Sequence, residues 1–495
     1  MAEREVKLGA APSFRLPDFT DVETGTEVES APARKISATY FDTDDLRLTR
    51  WGISLRHRSS DGWTVKLPQP SAGTMLVREE IVFSGDPRRP PQQAVDLVRA
   101  FLRTATLRPQ VRLRTVRRQT TLRDADRGQL AEVVDDDVAV LDGRRIAARF
   151  RELEVEIADE AERPLLDVLV ALLRQSGAGP PDPTPKVVRA LGPRATQPPE
   201  ISVVALGADA SIADVVRRSI AASVDRLVRH DPIVRLDTDI EGVHQARVAT
   251  RRLRSDLRTF GSVLDPEPTR LLRDELRWLA DSLGAVRDRD VLLARLRNRA
   301  AALSASDGRS LRRAFETLET ERARAYDELL VTLRAERYLV LLDRLIAEAN
   351  EPPLLPGADV AADLALPPLV SRPLRRLTRQ MQALGDDPTD DDLHAARIRT
   401  KRARYAVEAA VPVLGKRARV VATAAAKLQD VLGEHRDAVG AERWLHERAH
   451  ETRSVREAFA AGKLAGLERA EQERARARWR KAWKALSAAR PRDWR

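Results

Sequence analysis

The chain contains no cysteine, which excludes disulfides, iron–sulfur clusters and cysteine-ligated zinc. Aromatic residues make up 4% of it, too few for a protein that holds single-stranded nucleic acid by stacking bases on rings. No apolar run approaches the roughly 18 residues of a membrane span. The opening MAEREVKLGA lacks the apolar stretch of a secretion signal. A cytoplasmic protein with no membrane partner is expected. What the chain has in abundance is charge: 86 basic and 75 acidic side chains in 495 residues, for a net charge of +11. That length implies two to four domains. The excess of positive charge points to an anionic partner, whether nucleic acid, anionic lipid or polyphosphate.

Two textures divide the chain. Up to about residue 190, short alternating segments broken by Gly, Pro and Asp read as strands. From about 210 onward the pattern is Ala/Leu/Arg-rich with helical period. Between them, LGPRATQPPEISVVALG, with Pro193, Pro198 and Pro199, reads as a linker. A second proline-rich break at 351–373 splits the helical part. The expected boundaries are a first domain at 1–192, a linker at 193–208 and a helical domain at 209–490, with halves at 209–350 and 374–490.

The helical part repeats itself. VHQARVATRRLR from Val243 recurs as LHAARIRTKRAR from Leu393, and LGAVRDRD at 283–290 is echoed by LGEHRDAV at 432–439. Two blocks recurring at nearly one offset imply two similar helical bundles related by a pseudo-twofold axis. In the first copy His244, Arg247, Arg251, Arg254 and Arg258 step by three and four residues, so they share one helix face. His394, Arg397, Lys401 and Arg404 form the second stripe. A single basic helix is ordinarily a solvated face. Two such stripes facing each other would form a groove for a linear polyanion without bases, because arginine forks bind phosphate oxygens bidentately. The Arg287–Asp288 and Arg436–Asp437 pairs read as structural, orienting helices or other arginines. His57, His230, His446 and His450 suggest no role beyond surface or packing.

A His-initiated arginine helix, repeated and followed each time by an LG…RD helix, resembles the CHAD domain, the conserved-histidine α-helical domain. The resemblance covers about 209–490. It implies two four-helix bundles that bind inorganic polyphosphate through a basic central surface, with His244 and His394 among the arginines, where a phosphate-side contact is favoured over a core histidine.

The strand region has its own charge pattern. In EREVKL, Glu3, Glu5 and Lys7 share one face of a strand. SLRHR aligns Arg56 and Arg58, WTVKLP presents Lys66, and VREEIV presents Arg78 and Glu80. QVRLRTVRRQ aligns Arg112, Arg114 and Arg118 with Arg117 opposite, and FRELEVEI aligns Glu152, Glu154 and Glu156. One such strand would be a half-exposed edge. Several of them suit an antiparallel barrel with a charged interior, where carboxylates hold Mg²⁺ or Mn²⁺ and basic groups hold phosphate oxygens.

EREVK, YFDTDDLRL, LRHR, WTVKLP, VREE, RTVRRQTTL, ELEVE and TPKVVRAL, in that order over about 1–192, resemble the CYTH family of triphosphate tunnel metalloenzymes. The resemblance implies an eight-stranded closed tunnel that hydrolyses or cyclises triphosphates with a divalent metal. The whole is then a multidomain α+β chain: an N-terminal eight-stranded antiparallel β tunnel with flanking helices, followed by an all-α domain of two four-helix bundles. On matching positions, Glu3, Glu5, Glu154 and Glu156 would hold metal or position water, with Glu132 and Glu152 as further members. Lys7, Arg56, Arg58, Lys66, Arg114, Arg118 and Lys186 would grip the triphosphate, with Glu3, Glu5 and Lys7 at the reacting group. The register leaves Arg117 open as an alternative in the basic pair, and Asp135 within the DDD at 135–137. Trp63 and Phe41 are the nearest tunnel aromatics, and nothing reads as a base pocket. The expected activity is a metal-dependent inorganic triphosphatase using tripolyphosphate-type substrates and binding polyphosphate, with association to polyphosphate granules. An adenylyl cyclase, an organic triphosphatase and a non-catalytic polyphosphate scaffold are the alternatives; nucleic acid is disfavoured as partner.

Overall fold

The computed structural model describes residues 2–20, 22, 26–69, 76–158, 163–491 and 494, with the backbone alone at 2–4 and 76. The chain divides into two compact units, Met1–Glu200 and Ile201–Arg495.

In the first unit, β1 (Ala2–Ala10), β2 (Thr26–Asp42), β3 (Ser54–Arg58), β4 (Gly62–Pro68), β5 (Leu76–Phe83), β6 (Arg108–Asp124), β7 (Gly128–Asp142) and β8 (Arg145–Ile157) form a closed barrel. The order around it is β1-β5-β4-β3-β2-β6-β7-β8, and every neighbouring pair is antiparallel. Three short helices, α1 (Arg47–Arg50), α2 (Gln92–Leu97) and α3 (Arg99–Leu102), fill the connections. Two more, α4 (Arg163–Gln175) and α5 (Lys186–Leu191), follow the last strand.

The period-two pattern is used inside out. On β1, Glu5 and Lys7 face the interior, whereas Val6 and Leu8 join Val133, Leu153, Val155 and Ile157 in a core on the outer face. Helix α4 covers that core with Leu165, Leu166, Leu169 and Leu173, each buried leucine contributing about 1.5–3 kcal/mol. At one end the interior turns apolar: Ala38, Tyr40, Leu113, Val138 and Val140 pack around Val187, with Val188 and Leu191 of α5 against them. The turn after β2 is built by Asp42, whose carboxylate accepts from Thr43 N (2.7 Å), Leu48 N (2.9 Å) and Thr49 N (2.8 Å). Part of the segment expected as a linker is fixed to this unit. Glu200 accepts from Trp51 Nε1 (2.7 Å) and Arg103 Nη2 (2.6 Å), and Pro198 O accepts from Arg50 Nε (2.7 Å).

The described part of the second unit has nine helices: α6 (Ile212–Leu236), α7 (Ile240–Thr259), α8 (Pro266–Ala300), α9 (Ala305–Ser310), α10 (Arg312–Arg334), α11 (Glu336–Asn350), α12 (Ala362–Gln382), α13 (Asp390–Glu451) and α14 (Val455–Ala489). Helix α13 is two helices joined across a kink at Gly415, whose φ of 58° suits glycine. Counting the limb after the kink from Lys416, three helix starts recur at an offset of 150 residues (362 − 212, 390 − 240, 416 − 266). The repeat extends to detail. Asp239 and Thr389 cap α7 and α13, and the buried hydroxyls of Thr250 and Thr400 each donate at 2.8 Å to the carbonyl four residues back. Helix α14 packs on α13 as the fourth member of the second half, and α9 with α10 stands for it in the first, Ser304 and Ser454 capping the two 150 residues apart; α11 is an addition to the first. Among the described residues, no helix is long and apolar enough to cross a membrane.

Candidate functional site

Glu5, Lys7, Tyr40, Arg56, Arg58, Lys66, Arg78, Arg117, Glu154, Glu156 and Lys186 line one cavity inside the barrel. Its volume is about 60 Å³, because charges reach across it to one another. The register stacks them in rows. Glu5, Glu156 and Glu132 are direct neighbours on β1, β8 and β7; one row deeper Lys7 faces Glu154, and beyond it Glu152 faces Asp136. Like charges directly opposite destabilise a sheet, so the Glu5–Glu156–Glu132 row calls for cations. Glu5 receives Arg78 and has Lys7 Nζ at 3.2 Å, while Glu132 accepts from Gln119 Nε2 at 2.8 Å.

The deeper rows are held by cations. Glu154 is bonded to Lys7, has Lys186 Nζ at 2.8 Å and has Arg117 Nη2 at 3.2 Å. Asp136 takes Lys186 at 2.8 Å and both Arg117 Nε (2.9 Å) and Nη2 (2.7 Å). Burial alone would raise the Glu154 pKa, but Lys186, Lys7 and Arg117 hold it well below the carboxylate range. Burial also opposes the Lys7 ammonium, and Glu154 and Glu5 outweigh it and raise its pKa. Burial leads at Glu132 too, and there it prevails, pushing the carboxyl up. On the opposite wall Lys66 Nζ lies 2.8 Å and Arg56 Nη2 3.5 Å from Glu80. Burial would raise the Tyr40 phenol, but Arg56 brings it below the ordinary tyrosine value.

Two expected tunnel residues lie elsewhere. Arg114 and Arg118 are exposed on the outer face of β6, where Arg118 pairs at 3.3 Å with Asp135, itself turned outward and bound by Arg151. Arg117, left open as an alternative, is the inward cation; between Arg112 and Arg118 the strand is regular, so its two faces cannot both point in. The side chain of Glu3 lies outside the described residues; its backbone is in register with Arg78. Glu154, expected to hold metal, is taken by three cations. Among the described residues, no three Asp, Glu or His side chains are already gathered as a metal shell.

In the helical unit the stripes separate into sets. Lys401 lies beside Arg397 of its own helix and Arg251 and Arg247 of α7. Burial first, then those three charges, lower its ammonium to about 7. Burial and Arg287 depress His244, as burial and Arg436 depress His394. Arg247 Nη1 also bonds Asp288 at 2.5 Å. Nε of Arg251 and Arg397 and Nδ1 of His394 are buried without a hydrogen-bond partner. The two LG motifs serve these arginines: a Cβ on Gly284 would lie 3.8 Å from the Arg247 guanidinium, and one on Gly433 3.7 Å from Arg397 Nε. Two expected members turn away from this set. Arg254 faces Arg277 and Arg273 of α8, and Arg404 bonds Glu408 one turn along at 2.6 Å.

Family models match the chain twice, a CYTH domain over residues 1–184 and a CHAD domain over 218–446. A protein of Mycobacterium tuberculosis described as uncharacterized is 31% identical over 470 residues, 90% of this chain and 88% of the relative. The chain belongs to the CYTH–CHAD family. Among solved structures, PptA from Streptomyces chartreusis is similar at 26% identity over 56% of this chain and 100% of its own, with a TM-score of 0.47. The CHAD domain from the plant Ricinus communis is similar at 29% identity over 58% and 95%, with a TM-score of 0.49.

For a CYTH–CHAD chain the barrel is the triphosphate tunnel, a setting for triphosphatase or cyclase chemistry. The strand alternation brings Glu5, Lys7, Arg56, Arg58, Lys66 and Glu156 into this cavity as expected from their spacing, and helix α5 brings Lys186, expected from the resemblance. Sequence reasoning underrated Arg117, and it left Arg78 and Glu80 without a role although VREE shows both on one face. The expectation that the RD pairs orient other arginines fits Asp288, which bonds Arg247, while Arg287 and Arg436 lie near enough to the histidines to depress them.

Proposed function

We propose that the barrel is a divalent-metal-dependent triphosphatase acting on tripolyphosphate-type inorganic chains, and that the helical unit binds inorganic polyphosphate. The observation that carries the reading is Glu5 and Glu156 set beside Arg56, Lys66, Arg78 and Arg117 in one cavity, with Glu132 next to Glu156 in register. Phosphoryl transfer asks for positioning and charge neutralisation rather than covalent catalysis. The donor set fits a hard cation, since carboxylate oxygens are what Mg²⁺ and Mn²⁺ prefer. Glu5 and Glu156, with Glu132 and Glu3, would hold the ion. When bound, it would neutralise phosphate oxygens and supply a polarised water. Arg56, Arg58, Lys66 and Arg78 would grip the chain. Lys7 and Lys186 would reach it from the deeper rows, where Glu154 and Asp136 hold both ammoniums charged.

Among the described residues lining the cavity, Tyr40 is the one aromatic ring, and Arg56 lies against its hydroxyl (3.5 Å). That favours an inorganic chain over a nucleotide or thiamine ester. In the helical unit, Arg251, Arg397 and Lys401, with Arg247 beside them on Asp288, supply positive charge for a polyanion, and His244 and His394 stand at its edge. Polyphosphate binding would localise the enzyme to granules and raise the concentration of chain ends around it. The test is phosphate release from tripolyphosphate, ATP and thiamine triphosphate with Mg²⁺ or Mn²⁺, with cyclic AMP measured alongside. Tripolyphosphate is expected to have the highest kcat/KM. Cyclic AMP as the main product would make the barrel a cyclase, and no turnover with any metal would leave a binding scaffold.

A further inference from the structure

Helices α7, α12 and α13 enclose a pocket of about 330 Å³ lined by Arg258, Arg372, Arg376, Arg399 and Arg402. No carboxylate lines it. Among the described residues none of the five guanidiniums is ion-paired, and their one hydrogen bond is from Arg399 Nε to Gln380 Oε1 at 3.0 Å. None of the residues His244, Arg247, Arg251, His394, Arg397 and Lys401 lines this pocket. Exposed arginines on helices are ordinarily solvated surface, but this chain carries its own control.

Moving each position by 150 residues lands on a second pocket, of about 240 Å³, between α6, α7 and α13. Ala222 stands there for Arg372, Ala249 for Arg399 and Glu408 for Arg258, while Arg226 and Arg252 match Arg376 and Arg402. The twin sets two carboxyls among its three arginines, Arg218, Arg226 and Arg252. Arg252 bonds Glu408, and Asp256, which replaces the Ala406 of the other half, is buried in its wall 3.9 Å from Arg252. One helix arrangement has therefore been filled twice, once with five arginines and no carboxyl and once with three arginines and two carboxyls. Solvent exposure gives no reason for that difference. Crowding is felt in the first pocket: burial, then Arg402 and Arg273, bring the Arg258 guanidinium down to about 10.

We propose that the pocket of Arg258, Arg372, Arg376, Arg399 and Arg402 is a second anion site, separate from the histidine-flanked surface, that takes a compact oligophosphate. At roughly 30 Å³ per water it has room for about ten waters, enough for a few phosphate groups. Guanidinium forks match phosphate oxygens in pairs, and Ser255 and Ser262 add hydroxyl donors on the same wall. The oligophosphate is either a free short chain or the end of a long polyphosphate, and both present the same chemistry.

The test uses the full chain with EDTA, so that no metal-dependent turnover occurs. Arginine modification by phenylglyoxal is followed peptide by peptide, with and without tripolyphosphate or long-chain polyphosphate. A ligand at ten times its dissociation constant should slow modification of Arg372 and Arg376 by about tenfold, while Arg226 of the twin pocket reacts as before. That protection should survive in Arg397→Ala/Lys401→Ala, where the other surface is disabled. Protection by tripolyphosphate identifies a free short chain; protection by the long chain alone, surviving in that variant, identifies a chain end. Equal modification rates with both ligands would overturn the site. So would protection of Arg226 equal to that of Arg376, or protection that vanishes in the Arg397→Ala/Lys401→Ala variant.

Discussion

The barrel and the helical unit both gather cations, and they hold them in opposite ways. In the barrel each cation has an acid within reach. Lys186 touches Asp136, Glu152 and Glu154, and Arg117 bridges Asp136 and Glu154. The charges are buried and mutually satisfied, and they fill their own cavity. In the helical unit Arg251, Arg397 and Lys401 crowd like charge on like, and Lys401 is lowered by burial first and then by those neighbours. The first arrangement is a preset lattice in which a ligand must exchange partners; the second stores repulsion that a polyanion relieves. Exchange makes the barrel selective for a ligand that replaces several carboxylates at once, whereas relief is tolerant of chain length.

The largest effect expected from this contrast lies in the barrel. Arg56→Ala or Lys66→Ala should lower kcat/KM for tripolyphosphate by about 10²–10³-fold, the scale of removing one preorganised charge from a water-poor site. Arg114→Ala and Arg118→Ala, on the outer face, should change it less than about twofold. If the outer pair matters as much as the inner, the inside-out reading of β6 is wrong. Next comes the helical surface. Arg247→Ala with Arg397→Ala should weaken polyphosphate binding by about 10–100-fold at low salt and flatten its salt dependence by roughly one to two counterions. Titrations at several salt concentrations check this, and an unchanged slope would remove these arginines from the interface.

A smaller effect is set by protons. Lys401 has a folded pKa near 7, below that of an unfolded lysine, so between about pH 7 and 10 the unfolded chain binds more protons. Ligand-free stability at this site should therefore rise with pH through that window, and Lys401→Met should flatten the rise in urea midpoints. A bound polyanion favours the charged form, so polyphosphate affinity should fall from pH 6 to 9 with uptake of up to about one proton per site. Calorimetry in buffers of different ionisation heat reads that uptake, and Lys401→Arg should abolish it. The smallest change concerns the LG motifs. Gly284→Ala puts a methyl group at ordinary contact distance from Arg247, so it should leave polyphosphate affinity unchanged within about twofold. It should also stabilise the helix by about 0.5–1 kcal/mol. Loss of binding in that variant would mean the guanidinium needs closer approach than the geometry implies.

Much of this was legible in the residues alone. Alternation on β1, β3, β4 and β8 points Glu5, Lys7, Arg56, Lys66 and Glu156 inward, because each strand carries charge on one face and apolar residues on the other. β6 fails that test. Its arginines sit on both faces, and counting them favours the richer one, although Leu113, Thr115 and Arg117 are the inward set. Choosing between the faces needs the neighbouring strands, where Asp136 waits for Arg117 and Asp135 for Arg118. On α13 the partner of Arg404 was visible as Glu408 at i+4. Arg254 was not decidable in this way, since its neighbours Arg273 and Arg277 come from another helix. The duplication itself could be read directly, but its divergence shows once the copies are laid side by side in space.

Helix α5 has a consequence for traffic. Val187, Val188 and Leu191 fill the barrel at one end, so the bore is blind there. A phosphate chain longer than the bore cannot be threaded through it; it can offer its tip, and what is cut must leave the way it came. A triphosphatase of this shape would shorten a polymer from its ends, one visit at a time. Its rate on long chains would follow the number of ends in solution rather than the mass of phosphate.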